Sequence, residues 1–310
     1  MVADRQPDRR KGLRRVFSCF AVIIVGFGYT SSQPGLGLER TKDYAAQPLF
    51  VAPHGLATLV RWDVLFGLPA LYVACVMVAS RVFLANPKLR VVKASVKDGE
   101  SLNLYNYVVI AYNVVQIAVC GWMVWGLAPV LTAGKLPWFG LGLEYSAEIE
   151  KFVFVHFLTK MLDWFDTLFM LVEGKEVSFL HVFHHATIGV VWGYLLSIGH
   201  GNGTAAYGAW INSVTHVIMY THYLVTALGF NNPLKAQVTQ FQLAQFMSCI
   251  VHALLVLTRE DAGCPHVFGL FQISYHITML LLFGWNMKWF PAWLTGYKKK
   301  KLSSMEKRLL

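Results

Sequence analysis

Charge is scarce in this chain, with Asp, Glu, Lys and Arg making up 14% of its 310 residues. Hydrophobic residues make up 55%, a balance that excludes an ordinary soluble domain and points to a chain crossing a membrane several times. Cysteine is sparse too. The five, Cys19, Cys75, Cys120, Cys249 and Cys264, show no CxxC and no zinc spacing, and four lie in apolar runs. A zinc module is thereby excluded, and most of them read as small core residues. Cys264 falls in a loop on the non-cytosolic side, where a disulfide is permitted, and Cys120 is the partner to consider for it. Acidic side chains are the scarcer sign, 17 against 27 Lys and Arg, for a net charge of +10. The basic excess fixes topology and meets anionic headgroups, which excludes nucleic acid as the partner it serves. No low-complexity tract or internal repeat appears.

What the chain has instead is apolar runs near the roughly 20 residues that a bilayer-spanning helix needs. They lie at Val64–Leu84, Tyr107–Gly126, Phe152–Val172, Phe179–Ile198, Thr204–Leu228, Ala236–Thr258 and Phe268–Phe290. An all-α membrane protein with seven transmembrane helices is the fold class they predict. Arg81, Lys88, Arg90, Lys93 and Lys97 follow the first run, whereas Glu144, Glu148 and Glu150 precede the third. The positive-inside rule therefore puts the first of these loops in the cytosol and the second on the far side. Glu173–Ser178, Asn231–Lys235 and the tail carrying Lys298, Lys299, Lys300 and Lys301 then fall on the cytosolic side. Residues 1–60 form a polar N-terminal extension, 61–296 the membrane domain and 297–310 a basic cytosolic tail. Within the extension, Arg9, Arg10, Lys11, Arg14 and Arg15 precede a short apolar run at Val16–Thr30. That run reads as a signal-peptide core, an anchor or part of the extension.

Polar side chains inside the predicted spans are the unusual feature, since a charge near the bilayer centre costs roughly 2.5–3.5 kcal/mol on insertion scales. "KMLDWFDT" places Lys160, Asp163, Asp166 and Thr167 at helical steps of three and four, either as a self-neutralising Lys160–Asp163 pair or as the polar wall of a cavity. "HVFHH" puts His181, His184 and His185 on one side of a helix, where a lone buried histidine would be unremarkable but three are not. "NSVTHVIMYTHY" carries Asn212, His216, Tyr220 and Tyr223 as a stripe; Asn212 and His216 need hydrogen-bond partners that lipid cannot supply. "TQFQLAQF" spaces Thr239, Gln242 and Gln245 by threes, for interhelical hydrogen bonding or for the same wall. Under the topology above, all four groups lie between mid-membrane and the cytosolic helix ends. A ring of helices around one polar chamber, open to the cytosol and apolar toward the other leaflet, is the simplest arrangement. It suits an amphiphile with a charged head and a long hydrocarbon tail, such as a fatty acyl thioester.

HxxHH also binds the di-iron centre of membrane desaturases and hydroxylases, but that site needs several such boxes. This chain has one; His54, His156, His200, His222, His252, His266 and His276 are scattered. A seven-span receptor or carrier would also hold a polar chamber, without requiring three histidines on one face. Clustered imidazoles suit nucleophilic catalysis, in which a neutral ring attacks a thioester while its neighbours orient it or move protons. No Cys or Ser sits beside the box as an alternative nucleophile.

In order and spacing, these four motifs together resemble the ELO family of very-long-chain fatty-acid elongases, over roughly residues 60–290. The resemblance implies a 3-oxoacyl-CoA synthase that condenses acyl-CoA with malonyl-CoA, releases carbon dioxide and CoA, and uses neither a metal nor an organic cofactor. It implies six of the seven helices ringed around an acyl-chain tunnel closed at its far end. It also implies residence in the endoplasmic reticulum, among membrane lipids and alongside the reductases and dehydratase of the elongation cycle. Carried onto this sequence, it makes His184 the nucleophile, flanked by His181 and His185. His216 and Asn212 would stabilise the enolate formed from malonyl-CoA. Lys160, Asp163, Asp166, Tyr220, Tyr223, Gln242 and Gln245 would line the substrate site. Two departures are visible, His222–Tyr223 where the family usually has two tyrosines, and Asp163 where it often has Glu. "KMLDWFDT" with "SFLHVFHHATI" resembles the polyunsaturated-acyl elongases of microbial eukaryotes more than those for saturated or monounsaturated chains. Lys175 and Lys235 lie in loops where they would meet CoA phosphates, and Lys307 and Arg308 in "EKRLL" resemble a di-basic retrieval signal.

Overall fold

The computed structural model describes residues 56–92, 94, 100–233 and 235–287. The extension before residue 56 with its apolar run, Lys93 and Lys97 of the first loop, the end of the last predicted span and the basic tail lie outside the described residues.

Among the described residues the chain is all helical, with eight α-helices: α1 Trp62–Ala85, α2 Leu104–Thr132, α3 Ala147–Leu162, α4 Trp164–Val172, α5 Phe179–Ser197, α6 Ala206–Ala227, α7 Lys235–Thr258 and α8 His266–Asn286. A short 3-10 turn, Leu56–Val60, leads into α1 and packs on α1 and α5. By length and composition, α1, α2, α5, α7 and α8 are long and apolar enough to cross a bilayer. Exposed apolar side chains such as Leu71 and Val78 on α1, Val115 and Trp125 on α2, and Leu270 and Leu281 on α8 give the bundle a surface suited to lipid rather than water.

Local sequence sets where helices begin. Asn103, Ser146 and Ser178 each accept a hydrogen bond from a backbone N–H three residues on, those of Asn106, Ile149 and His181, and so cap α2, α3 and α5. At the end of α1, the Arg90 guanidinium donates to the carbonyls of Phe83 and Leu84, satisfying acceptors that the helix itself leaves open. Arg90 thus has a structural task beyond adding to the loop's positive charge.

The third predicted span begins earlier than expected, at Ala147, and is interrupted at Asp163 into α3 and α4. The helix is broken at one residue only, where the Asp163 carboxylate turns to donors on α2, α3 and α6. Helix contacts close a circle in the order α2, α6, α7, α8, α5, α3 and back to α2, while α1 lies outside it against α4 and α5. The apolar core fills the far half of that circle with Met123, Leu127, Val153, Phe157, Val190, Tyr194 and Ala209.

Gly193 is where α1, α3 and α5 come closest. A Cβ there would lie 2.3 Å from Leu65 Cδ1 and 2.8 Å from Phe157 Cε2. Leu65 and Phe157 are themselves buried and have no space to retreat into. Gly193→Ala is therefore expected to destabilise the bundle by about 1–3 kcal/mol despite alanine's better helix propensity. A detergent-solubilised thermal melt checks it, and a melting temperature at or above the unsubstituted protein's would refute it.

Candidate active site

The Ser178 cap fixes the start of α5, so that the three histidines fall in its first two turns. His181 and His185, one turn apart, stack with ring centroids 4.0 Å apart and 21° between planes, while His184 meets His185 edge-on at 5.6 Å and 84°. Parallel stacked rings point their nitrogens side by side rather than at a common point, and among the described residues no three His, Cys, Asp or Glu side chains are grouped to hold a metal ion. Among the described residues, only the His181 ring of the three is hydrogen-bonded, while His185 is held through its backbone. His181 Nε2 is 2.8 Å from Thr167 Oγ1, which is 2.8 Å from the Tyr72 hydroxyl, and the Trp164 indole donates to the His185 carbonyl at 2.9 Å. His184 Nδ1 is buried without a hydrogen-bond partner among the described residues, whereas the ring as a whole lines the cavity. The ring nitrogen left to face the cavity is therefore Nε2.

Behind the histidines lies a buried polar network. Asp163 Oδ1 accepts from Gln116 Nε2 at 3.0 Å and from the Tyr220 hydroxyl at 3.1 Å; Oδ2 accepts from Lys160 Nζ at 3.3 Å. Tyr220 also lies 2.7 Å from Asp166 Oδ2, and its single proton serves one carboxylate at a time. Lys160, 1% exposed, donates to Asn212 Oδ1 at 2.7 Å. His216 Nδ1 is 3.8 Å from Asp163 Oδ1. The self-neutralising Lys160–Asp163 pair is present, and its Asp163 member is also part of the cavity wall.

Two cavities meet at this network. The larger, of about 1240 Å³, is lined by His181, His184, His185, Asp163, Asp166, Asn212, His216, Tyr220, Tyr223, Gln242 and Gln245, so every site residue named from sequence except Lys160 borders one space. Lys160 lies behind that space and reaches it through Asn212 and Asp163. The chamber widens toward the bundle end where α4, α6 and α8 finish and α5 and α7 begin, with Glu173, Lys175, Lys235 and Asn286 at its rim. Lys175 forms an ion pair with Glu173 there. The smaller cavity, about 110 Å³, runs toward the other end between Ile188, Val191 and Leu195 of α5, Gly208 of α6, Val256 of α7 and Phe271 of α8. Among the described residues, only His184, Asn212, Gln245 and Phe246 border both.

At the far end of the slot Cys264 faces the cavity, and burial pushes its thiol up to about 12. A protonated thiol is a poor nucleophile. Cys120 and Cys264 are both free, so the disulfide considered from sequence is not formed in the structure. Cys120 is sealed in the interior face of α2 among the core side chains.

Sequence reasoning missed the contribution of α2. Tyr112, which donates to the Leu162 carbonyl at 3.1 Å, and Gln116, which donates to Asp163, hold the helix break from the opposite wall. Asn106, Asn113 and Gln116, at steps of seven and three inside an apolar run, were the available signal. Tyr72, one member of the chain leading to His181, had no such signal because its partner Thr167 is on another helix.

A family model described as "ELO: GNS1/SUR4 family" matches residues 58–300. "Fatty acid elongase 5" of Trypanosoma cruzi is 40% identical over 248 residues, covering 79% of this chain and 90% of its own length. "Fatty acid elongase 5" of Leishmania major is 42% identical over 204 residues, 65% of this chain and 79% of its own. The mouse protein "Very long chain fatty acid elongase 2" is 30% identical over 145 residues, 45% of this chain and 49% of its own.

Proposed function

The chain belongs to the GNS1/SUR4 (ELO) family and is a fatty acid elongase, a condensing enzyme, and from that premise we propose that it extends a long-chain, polyunsaturated acyl-CoA with malonyl-CoA through an acyl-imidazole on His184. The observation that carries this reading is the position of His184 at the neck between a wide polar chamber and a narrow apolar slot. A CoA thioester laid through that neck has its headgroup in the chamber, its carbonyl at the imidazole and the first methylenes of its tail entering the slot, which at about 110 Å³ must widen to take the rest of a long chain.

The chemistry then follows from the groups at the neck. His184 Nε2 attacks the thioester carbonyl, with the ring proton on Nδ1 so that the Nε2 lone pair is free. The carbon–sulfur bond breaks, and the departing CoA thiolate takes up the proton that the acylated ring gives up. Malonyl-CoA next enters the chamber and loses carbon dioxide, leaving an enolate whose oxygen meets donors from Asn212 and His216. The enolate carbon attacks the acyl carbon, the carbon–nitrogen bond breaks, and the imidazolate takes a proton from water in the chamber, replacing the one that left with CoA, as 3-oxoacyl-CoA departs. Lys235 at the rim is a cation for the CoA phosphates, whereas Lys175 is already paired with Glu173.

The same proposal assigns seven spans, with α3 and α4 together as one and α6 as another, and an acyl tunnel inside the helix circle. The mouth faces the cytosol of the endoplasmic reticulum, where reductases and a dehydratase complete each cycle. Preference for polyunsaturated donors rests on the resemblance of "KMLDWFDT" and "SFLHVFHHATI". Membranes containing the protein, given radiolabelled malonyl-CoA and a panel of acyl-CoAs, are expected to yield label in chains two carbons longer than the donor, most from polyunsaturated donors. A saturated or monounsaturated donor used best would overturn the substrate branch. Absence of label with every donor, from folded protein, would overturn the condensation itself.

A further inference from the structure

Two carboxamides reach the neck from the neighbouring helices α6 and α7, and the N–H end of neither has a partner among the described residues. Asn212 on α6 and Gln245 on α7 border both cavities beside His184. Lysine can only donate, so the Asn212 atom 2.7 Å from Lys160 Nζ is committed as Oδ1, and the amide Nδ2 is the end left for the cavity. A charged donor on the oxygen also polarises the amide and strengthens its N–H groups as donors. The Gln245 side chain is 6% exposed, yet it makes no hydrogen bond among the described residues, while its neighbour Gln242 donates to the Met219 sulfur at 3.4 Å. An amide N–H end that lines the chamber without a partner among the described residues is a donor left for a ligand.

We propose that Asn212 Nδ2 and Gln245 Nε2 form a two-donor oxyanion hole for the acyl carbonyl at His184. The inference rests on His184 being the acyl acceptor. In the first step the carbonyl π electrons move onto oxygen as Nε2 adds to carbon, giving a tetrahedral oxyanion between the two amides. The carbon–sulfur bond then breaks and the carbonyl reforms. The second step passes through the same oxyanion when the enolate carbon adds and the carbon–nitrogen bond breaks. One pair of donors thus serves both barriers. Phe246, the fourth residue at the neck, keeps one side apolar, which excludes water that would hydrolyse the acyl-enzyme.

The test is the half-reaction, release of CoA from acyl-CoA in single turnover without malonyl-CoA, using the full-length protein in detergent. Gln245→Glu keeps the shape of the side chain and replaces the donor by an acceptor; Gln245→Met keeps its length and removes polarity altogether. Both are expected to slow acylation by about 10²-fold with little change in the acyl-CoA concentration giving half-maximal rate. Isotope-edited infrared spectra of a carbonyl-labelled acyl-enzyme give the second readout. The acyl C=O stretch is expected to move to higher frequency in both variants, as a carbonyl does on losing a hydrogen-bond donor. Acylation at the unsubstituted rate in both, or slowing confined to substrate affinity with the stretch unmoved, would overturn the hole and leave Gln245 as a packing side chain. A different result, CoA release that survives in His184→Ala, would overturn the acyl-imidazole reading and the hole with it. The two failures are therefore distinguishable.

Discussion

His184→Ala is expected to abolish chain extension, with a loss on the order of 10⁴-fold or more, while the protein still reaches the membrane and melts near the temperature of the unsubstituted form. The rate loss is large because no neighbouring ring offers a nitrogen at the neck between chamber and slot. His181 Nε2 is taken up by Thr167, and His185 is buried under His181, with its Nδ1 closed off from the cavity. The stability loss is small because His184 makes no side-chain hydrogen bond within the described protein, and the space left by its ring joins a cavity that already exists. Product analysis with labelled malonyl-CoA measures the first effect and a thermal melt the second. Extension at the unsubstituted rate would remove the nucleophile from this position. A collapsed melt with no activity is separated from a catalytic loss by His184→Gln, which keeps a polar side chain of similar reach without an imidazole. That variant is expected to melt normally and to remain inactive.

Much of the architecture was legible in the sequence because lipid imposes a simple rule: a crossing helix needs a run of apolar residues of nearly fixed length. Five such runs correspond to α1, α2, α5, α7 and α8 with ends displaced by a few residues. The break at Asp163 was not legible. "KMLDWFDT" has unbroken helical spacing, and the groups gathered at the break, the Tyr112 hydroxyl on the Leu162 carbonyl and Gln116 and Tyr220 on the Asp163 carboxylate, arrive from elsewhere in the chain. The polar stripes on four helices were visible because each combines several polar residues at helical steps. The stripe on α2 escaped notice because its amides are separated by valine, isoleucine and tyrosine, a texture normal for any crossing helix. Gln245 illustrates the limit from the other side. Spacing put it on the same face as Gln242 and Thr239, yet only the packed structure separates the one whose amide is unpartnered at the neck from the two that are bonded to Met219 and to the Lys235 carbonyl.

Lys160→Met is expected to cost about 3–5 kcal/mol of stability, the second large effect, because it removes the only lysine or arginine paired with a carboxylate that is 3% exposed. Methionine fills a similar volume, so the loss is electrostatic rather than a matter of packing. The Asp163 carboxylate would be left with Gln116 and Tyr220 as donors and with His216 at 3.8 Å, while Asn212 Oδ1 would lose its partner in the same stroke. Asp163→Asn alone leaves the opposite defect, a buried ammonium facing an amide. The double variant leaves neither charge stranded, so its melting temperature is expected to lie above the value obtained by adding the two single losses, a coupling of about 1–3 kcal/mol. Strict additivity would mean that the two groups are hydrated independently in the membrane and do not act as a pair. A coupling of the expected size would instead place the cost of two buried charges on the integrity of one ion pair, the pair that holds the junction of α3 and α4 and the Asn212 amide in register with the histidines.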